Sequence, residues 1–232
     1  MFIPAFDPLY LLFALPALLL GLFATISLQL ISSKYESELN RQGLSGLDIA
    51  ERIAKEKGLK FKVNIINQTL GESYDPTTGT LSLSTQTAHG KTITAAAITA
   101  HELGHVEQHQ NSSVLFQFRT MIVPIVNIGT NIGYFLLIIG LILQFSELAW
   151  LGVILFALAT FFAFITVPLE LDASRRALNL LQRSQLIYPE ETGGIKLVLG
   201  AAALTYVAAL FQSLGQLLYF LLRVQGISRR SD

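Results

Sequence analysis

The chain has 232 residues, of which 52% are hydrophobic and only 14% charged, and its mean hydropathy is +0.53. Soluble domains carry about 25% charge, so this balance excludes an ordinary soluble globule and points to a membrane protein with a modest polar portion. The formal net charge is zero and no Lys/Arg block is present, which argues against nucleic acid as a partner. With no cysteine, disulfides are ruled out, and any zinc site must draw on His, Asp or Glu.

Residues 8–31 form an uncharged apolar run, longer than the roughly 20 residues that cross a bilayer. The reading is an N-terminal transmembrane helix over 1–31, kinked at Pro16. No Lys or Arg precedes the run, and it exceeds the roughly 7–15 residues of a signal-peptide core, so it reads as a retained span.

From 32 to 120 the composition turns to mixed charge, which marks out a polar domain, read as catalytic from the HExxH motif it carries at 101–105. Leu47, Ile49, Ala50, Ile53 and Ala54 recur at helical spacing over 45–57. Ser45 and Asp48 resemble a capping box there, and Gly58 is a stop signal. Residues 61–66 read as a strand, 75–79 as a turn and 80–84, strictly alternating, as a second strand. In that second strand Leu81 and Leu83 face away from Ser82. Two readings stand for it: an open edge that pairs with an extended peptide, beside the pocket that selects the substrate, or a plain structural hairpin. His89 reads as a surface histidine in a loop.

The stretch 95–110, AAAITAHELGHVEQHQ, predicts a helix starting near Thr92 and carries an HExxH motif. Residues four apart share a helix face, with Cβ atoms about 5–6 Å apart. His101 and His105 can therefore reach a single Zn²⁺ together. Glu102, one step round, can take the proton of a water activated there without occupying a coordination position. The plainer reading is two histidines that merely share a face. His109 continues the spacing, but eight residues at 1.5 Å rise place it about 12 Å along the axis from His101, too far to share the ion. The longer HExxHxxGxxH pattern is absent.

Apolar stretches at 121–143 and 148–167, separated by 144–147, predict a transmembrane hairpin over 121–167. Gly129, Gly133 and Gly140 suit close helix contact within it. Charge then returns abruptly with Glu170, Asp172, Arg175 and Arg176, in a helix and loop over 168–194. Two crossings bring the chain back to the side it left, and a catalytic zinc has three protein ligands plus water. Glu170 is therefore the third ligand in this reading. The segment 195–232 is an apolar helix and tail, either a fourth span or a helix packed in part on the catalytic domain.

Segment 32–120 holds nine Lys and Arg and segment 168–194 three, against none in 1–7 and 144–147. The positive-inside rule then places the active site on the cytoplasmic side, with Arg223, Arg229 and Arg230 dissenting if the tail spans.

Taken together, SYDPTTGTLSLS (73–84), the helix 95–110, VPIVNIG (123–129), PLELDASRRAL (168–178) and AAALTYVAA (201–209) resemble the bacterial membrane-bound neutral zinc metallopeptidases of the YugP type. A more distant similarity is to the HtpX and CAAX-prenyl protease gluzincins. Their Glu-x-x-Ala-Asp pattern matches Glu170 and Ala173, but Ser174 stands where they have Asp, leaving Asp172 to take its place in orienting a ligand histidine. The resemblance implies a mainly α membrane protein of three to four transmembrane helices with a small α+β zincin-like domain, in a bacterial inner membrane. It implies a one-zinc endopeptidase acting on peptide or protein substrates. His101, His105 and Glu170 would hold the metal and Glu102 would act as base. Tyr206 and Arg175 are the candidates for stabilising the tetrahedral intermediate. The rival reading is a non-catalytic, zinc-stabilised membrane scaffold. Oligomeric state is left open.

Overall fold

The computed structural model describes residues 7–68 and 71–231, with the side chains of 229–231 excepted. Residues 1–6 and the side chains of Arg229 and Arg230, which enter the charge count above, lie outside the described set. The elements in chain order are α1 (Pro8–Glu36), α2 (Gly46–Lys57), β1 (Lys62–Ile66), β2 (Ser73–Asp75), β3 (Thr80–Ser84) and α3 (Thr85–His89). They continue with α4 (Ile93–Gln110), α5 (Val114–Leu143), α6 (Ser146–Arg183), a 3₁₀ turn at Pro189–Glu191 and α7 (Thr192–Ser231). The chain is a mainly α membrane protein with a small α+β unit. Four helices among the described residues, α1, α5, α6 and that ending the chain, are long and apolar enough to cross a bilayer.

The chain divides into two compact units. One comprises residues 1–24, 118–167 and 205–232; the other comprises 25–117 and 168–204. In the apolar unit, the α5–α6 hairpin is built on absent side chains. A Cβ on Gly140 would meet the Ala149 backbone nitrogen at 2.4 Å, and one on Gly152 would meet that of Leu137 at 2.4 Å. Such approaches let dispersion between backbones replace the hydrophobic drive that lipid removes. In the same unit Asp7 caps α1, accepting from Leu9 N at 3.1 Å, and its other oxygen accepts from Tyr219 at 2.8 Å. That oxygen also pairs with Arg223, so this arginine is neutralised locally.

The second unit surrounds α4. Its alanines, with Thr99, Leu103, Gly104 and Val106, are buried, and small side chains allow neighbours to close in from several directions. Around it pack Ile49 and Ile53 of α2, Leu81 and Leu83 of β3, Ala177 and Leu181 of α6, and Ile195, Val198 and Leu199 of α7. The first part of α7 thus belongs to this core. Ser45 caps α2 in the full box expected, with Asp48 returning the bond, and Gly58 closes it at φ 68°.

The sheet departs from the sequence reading. Its order is β1-β3-β2, with β1 parallel to β3 and β2 antiparallel to it. The three residues of β2 escape a sequence pattern because so short a segment has no period. They fold back through the turn at 75–79 and cover the edge of β3 opposite Thr80–Ser82. The open-edge reading of Leu81, Ser82 and Leu83 is therefore corrected. The strand is central, and Leu81 and Leu83 are 0% exposed core residues with no surface to offer a substrate. His89 ends the short helix α3 and is exposed, on a helix where a loop is expected. α6 runs unbroken through Pro168; the proline withholds one amide from the ladder without ending the helix, as membrane helices allow.

Close packing at Gly152 has a measurable consequence. Gly152→Leu should destabilise the α5–α6 hairpin by about 1–3 kcal/mol through overpacking, read as a lower melting temperature in detergent. Gly21→Leu, where an added Cβ would meet nothing within 4 Å, should leave that temperature unchanged.

Candidate metal and catalytic centre

α4 carries His101 and His105 on one face. Thr92 caps the helix, accepting from Ala95 N at 3.0 Å, and three turns later His101 and His105 stand edge to face, ring centroids 4.9 Å apart. α6 brings the acid. Glu170 Oε2 lies 3.1 Å from His101 Nε2 and 3.5 Å from His105 Nε2, with Glu170 itself 4% exposed. One ligand atom from each residue falls within 4.8 Å of the others, and no further His, Asp or Glu joins the group among the described residues.

The two helices reach this separation because Gly104, between the histidines, has no Cβ. An added one would sit 2.6 Å from the Ala173 carbonyl oxygen, and Ala173 is fully buried. The crossing is thus backbone against backbone, and Glu170 stands one helical turn before it on α6.

Each imidazole is held from behind. Gln108, 0% exposed, donates through Nε2 to the Leu169 carbonyl at 3.0 Å and to Asp172 Oδ2 at 2.9 Å. Those two acceptors fix the amide, so its Oε1, 2.9 Å from His105 Nδ1, must accept. His105 therefore carries a proton on Nδ1, which makes Nε2, on the Glu170 side, its ring nitrogen available to a metal. Ser174 Oγ stands 3.3 Å from His101 Nδ1 and can accept from it likewise. Partners of this type orient metal-ligating histidines and raise their basicity. Two imidazole Nε2 lone pairs and one carboxylate oxygen match the donors zinc takes at catalytic sites, with the fourth position left for water.

Glu102 is the remaining acid here. It is 8% exposed. Burial pushes its carboxyl above the usual range, while His105 and His101 pull it down and the Glu170 and Glu72 carboxylates add to the rise.

Residues 10–225 match the family described as "Putative neutral zinc metallopeptidase". The chain belongs to that family. It is also 36% identical over 215 residues to "Putative membrane protease YugP" of Bacillus subtilis (strain 168), covering 92% of this chain and 96% of that one. No solved structure matches it. Zinc is the metal the family name implies, and the donor set above suits it.

Asp172, Arg175 and His109, also singled out in the sequence, stand outside the three-donor group. Asp172 touches neither histidine: Gln108 stands between it and His105, and Arg176 donates to Asp172 Oδ2 at 2.7 Å and to Glu107 Oε2 at 3.0 Å. Ser174, the departure from the Glu-x-x-Ala-Asp pattern, is itself the residue against His101. Arg175 is exposed and lines a cleft with Lys57, Arg176 and Arg183; five residues beyond Glu170, it lies about 140° round the helix from it. Tyr206 falls in the apolar unit. His109 stands outside the cluster, its Nδ1 2.8 Å from the Tyr74 hydroxyl. Gln108 and Ser174 escaped the sequence reading. The signal for Gln108 was its i+3 spacing from His105 on the same face.

Metal content of purified variants tests this arrangement. Glu170→Ala should lose zinc and His109→Ala should keep it. Gln108→Leu should weaken binding by roughly 10–100-fold, the usual effect of removing a ligand's outer partner, as measured by competition with a chromogenic chelator.

Proposed function

We propose that this chain is a membrane zinc endopeptidase in which His101, His105 and Glu170 hold the metal and Glu102 is the general base. The observation carrying this reading is the placement of one Glu170 oxygen against both Nε2 atoms, with a second buried acid, Glu102, beside them and outside the donor set. A purely structural site has no use for that extra carboxylate, whose burial is costly.

Zn²⁺ when bound would lower the pKa of a coordinated water to about 7 and polarise the scissile carbonyl. Glu102 accepts the proton of the attacking water as its oxygen bonds to the peptide carbon. It then returns that proton to the departing amine nitrogen as the C–N bond breaks, and its raised affinity for protons suits it to both roles. Gln108 and Ser174 hold the imidazoles in the tautomer that keeps Nε2 free. The substrates are peptide segments of membrane or misfolded proteins.

The cytoplasmic side is the proposed location of the site, from the nine and three Lys/Arg of segments 32–120 and 168–194.

Two measurements check this. Glu102→Gln should retain zinc and lose roughly 10²–10⁴-fold in cleavage of a casein-like substrate; undiminished activity would exclude the proton-transfer role and favour a structural zinc site. Because the chain lacks cysteine, single cysteines report topology directly. Glu147→Cys should react with an impermeant maleimide in intact cells and Thr77→Cys only after permeabilisation.

A further inference from the structure

A cavity of about 460 Å³ lies beside the N-terminal half of α4. Its walls include Ser32 and Glu36 from α1, Glu72 ahead of β2, Thr87 from α3, and Thr94 and Ile98 from α4. Thr94, Ile98 and His105 fall on one helical stripe, and Ile98 is three residues, about 4.5 Å of rise, from His101. Between Thr92 and Ala100 Ile98 is the one residue of α4 that is not buried. The cavity therefore opens about one turn from the metal-binding face, along the helix that carries it.

Its chemistry is one-sided. The lining contains two carboxylates, hydroxyls and amides, and no Lys, Arg or His. Glu72 is oriented rather than neutralised. The hydroxyls of Ser84 and Thr87 both donate to its Oε1, that of Thr87 at 2.6 Å, which leaves Oε2 without a donor among the described residues. Glu36 accepts one hydroxyl bond, from Thr92 at 3.1 Å. Ser32 Oγ is buried in the wall with no hydrogen-bond partner. A metal is a poor occupant: the described residues contain no three-donor group besides His101, His105 and Glu170. What the walls lack is a cation on a stem long enough to reach them, carrying several N–H donors.

We infer that this cavity is a substrate subsite for a lysine or arginine side chain next to the scissile bond, recognised by Glu36 and Glu72. The inference rests on the peptidase reading for the words "substrate" and "scissile". The recognition itself is a property of the cavity and stands or falls separately. Ion pairs to oriented carboxylates are charge-assisted and about twice as strong as neutral hydrogen bonds, and here they would form in a partly enclosed space, where screening is weaker than at an open surface.

The test separates binding from cleavage. Dye-labelled alanine heptapeptides carrying one Lys, Arg, Gln or Glu are titrated by fluorescence anisotropy against zinc-loaded Glu102→Gln protein. The Lys and Arg peptides should bind roughly tenfold or more tightly than the Gln peptide, and raising salt should shrink that ratio. Adding Glu72→Gln, which keeps an oxygen for Ser84 and Thr87, or adding Glu36→Gln should each collapse the ratio toward one. Glu72→Lys should turn the preference toward the Glu peptide. Equal binding of the four peptides, or a basic preference that survives both Gln substitutions, overturns the proposal. Basic preference in binding together with no cleavage by the unsubstituted protein would retain the subsite and refute the peptidase reading. With active enzyme, the same preference should appear in kcat/KM, and Glu72→Gln should lower the ratio of basic to neutral peptides.

Discussion

The centre depends on one contact without side chains: Gly104 against the Ala173 carbonyl. Helix axes usually lie 8–10 Å apart, and a Cβ at 104 would collide at 2.6 Å with the backbone of α6. Removing it lets the α6 backbone approach between the two histidines. Only then does a side chain as short as glutamate, one turn earlier, bring an oxygen within 3.5 Å of both rings. The glycine of HELGH is thus a packing residue, and the alanines of α4 extend the same logic along the helix by letting α2, β3 and α7 close in.

A second layer sets protons rather than positions. Gln108 is committed on its amide side to Leu169 and Asp172, and this leaves His105 one tautomer. Arg176 ties Asp172 to Glu107, so the chain of bonds from α6 returns to α4. In such a network each polar group is costly to leave unmatched. Loss of Arg176 would therefore reach His105 through two intermediaries, although the arginine touches no ring.

Much of this was legible in the residues. The 3.6-residue period of α2, its capping box and the apolar runs follow local physics, and the HELGH spacing places two imidazoles on one face with no tertiary information. The parity of two apolar runs points to Glu170, and the structure brings its carboxylate against both histidines. The sheet was misread because strand order is a tertiary fact: TLSLS alternates in the same way whether one neighbour or two flank it. Asp172 is the sequence reading's stand-in for the Asp that the Glu-x-x-Ala-Asp pattern has at 174, whereas Ser174 itself faces His101: which of two helical residues about 200° apart meets a ring depends on the crossing. Tyr206 and Arg175 were chosen for chemistry alone, and helical phase places Arg175 on another side of α6. The cavity beside α4 joins four separate stretches, none with a motif of its own.

The bond between Asp7 and Arg223 joins residues 216 positions apart in the chain. During synthesis α1 enters the bilayer long before its partner exists, carrying a carboxylate whose nearest neutralising group has not been translated. The apolar unit is complete only once α7 has supplied Tyr219 and Arg223 to that carboxylate. Until then α1 has its hydrophobic length to hold it and no electrostatic anchor.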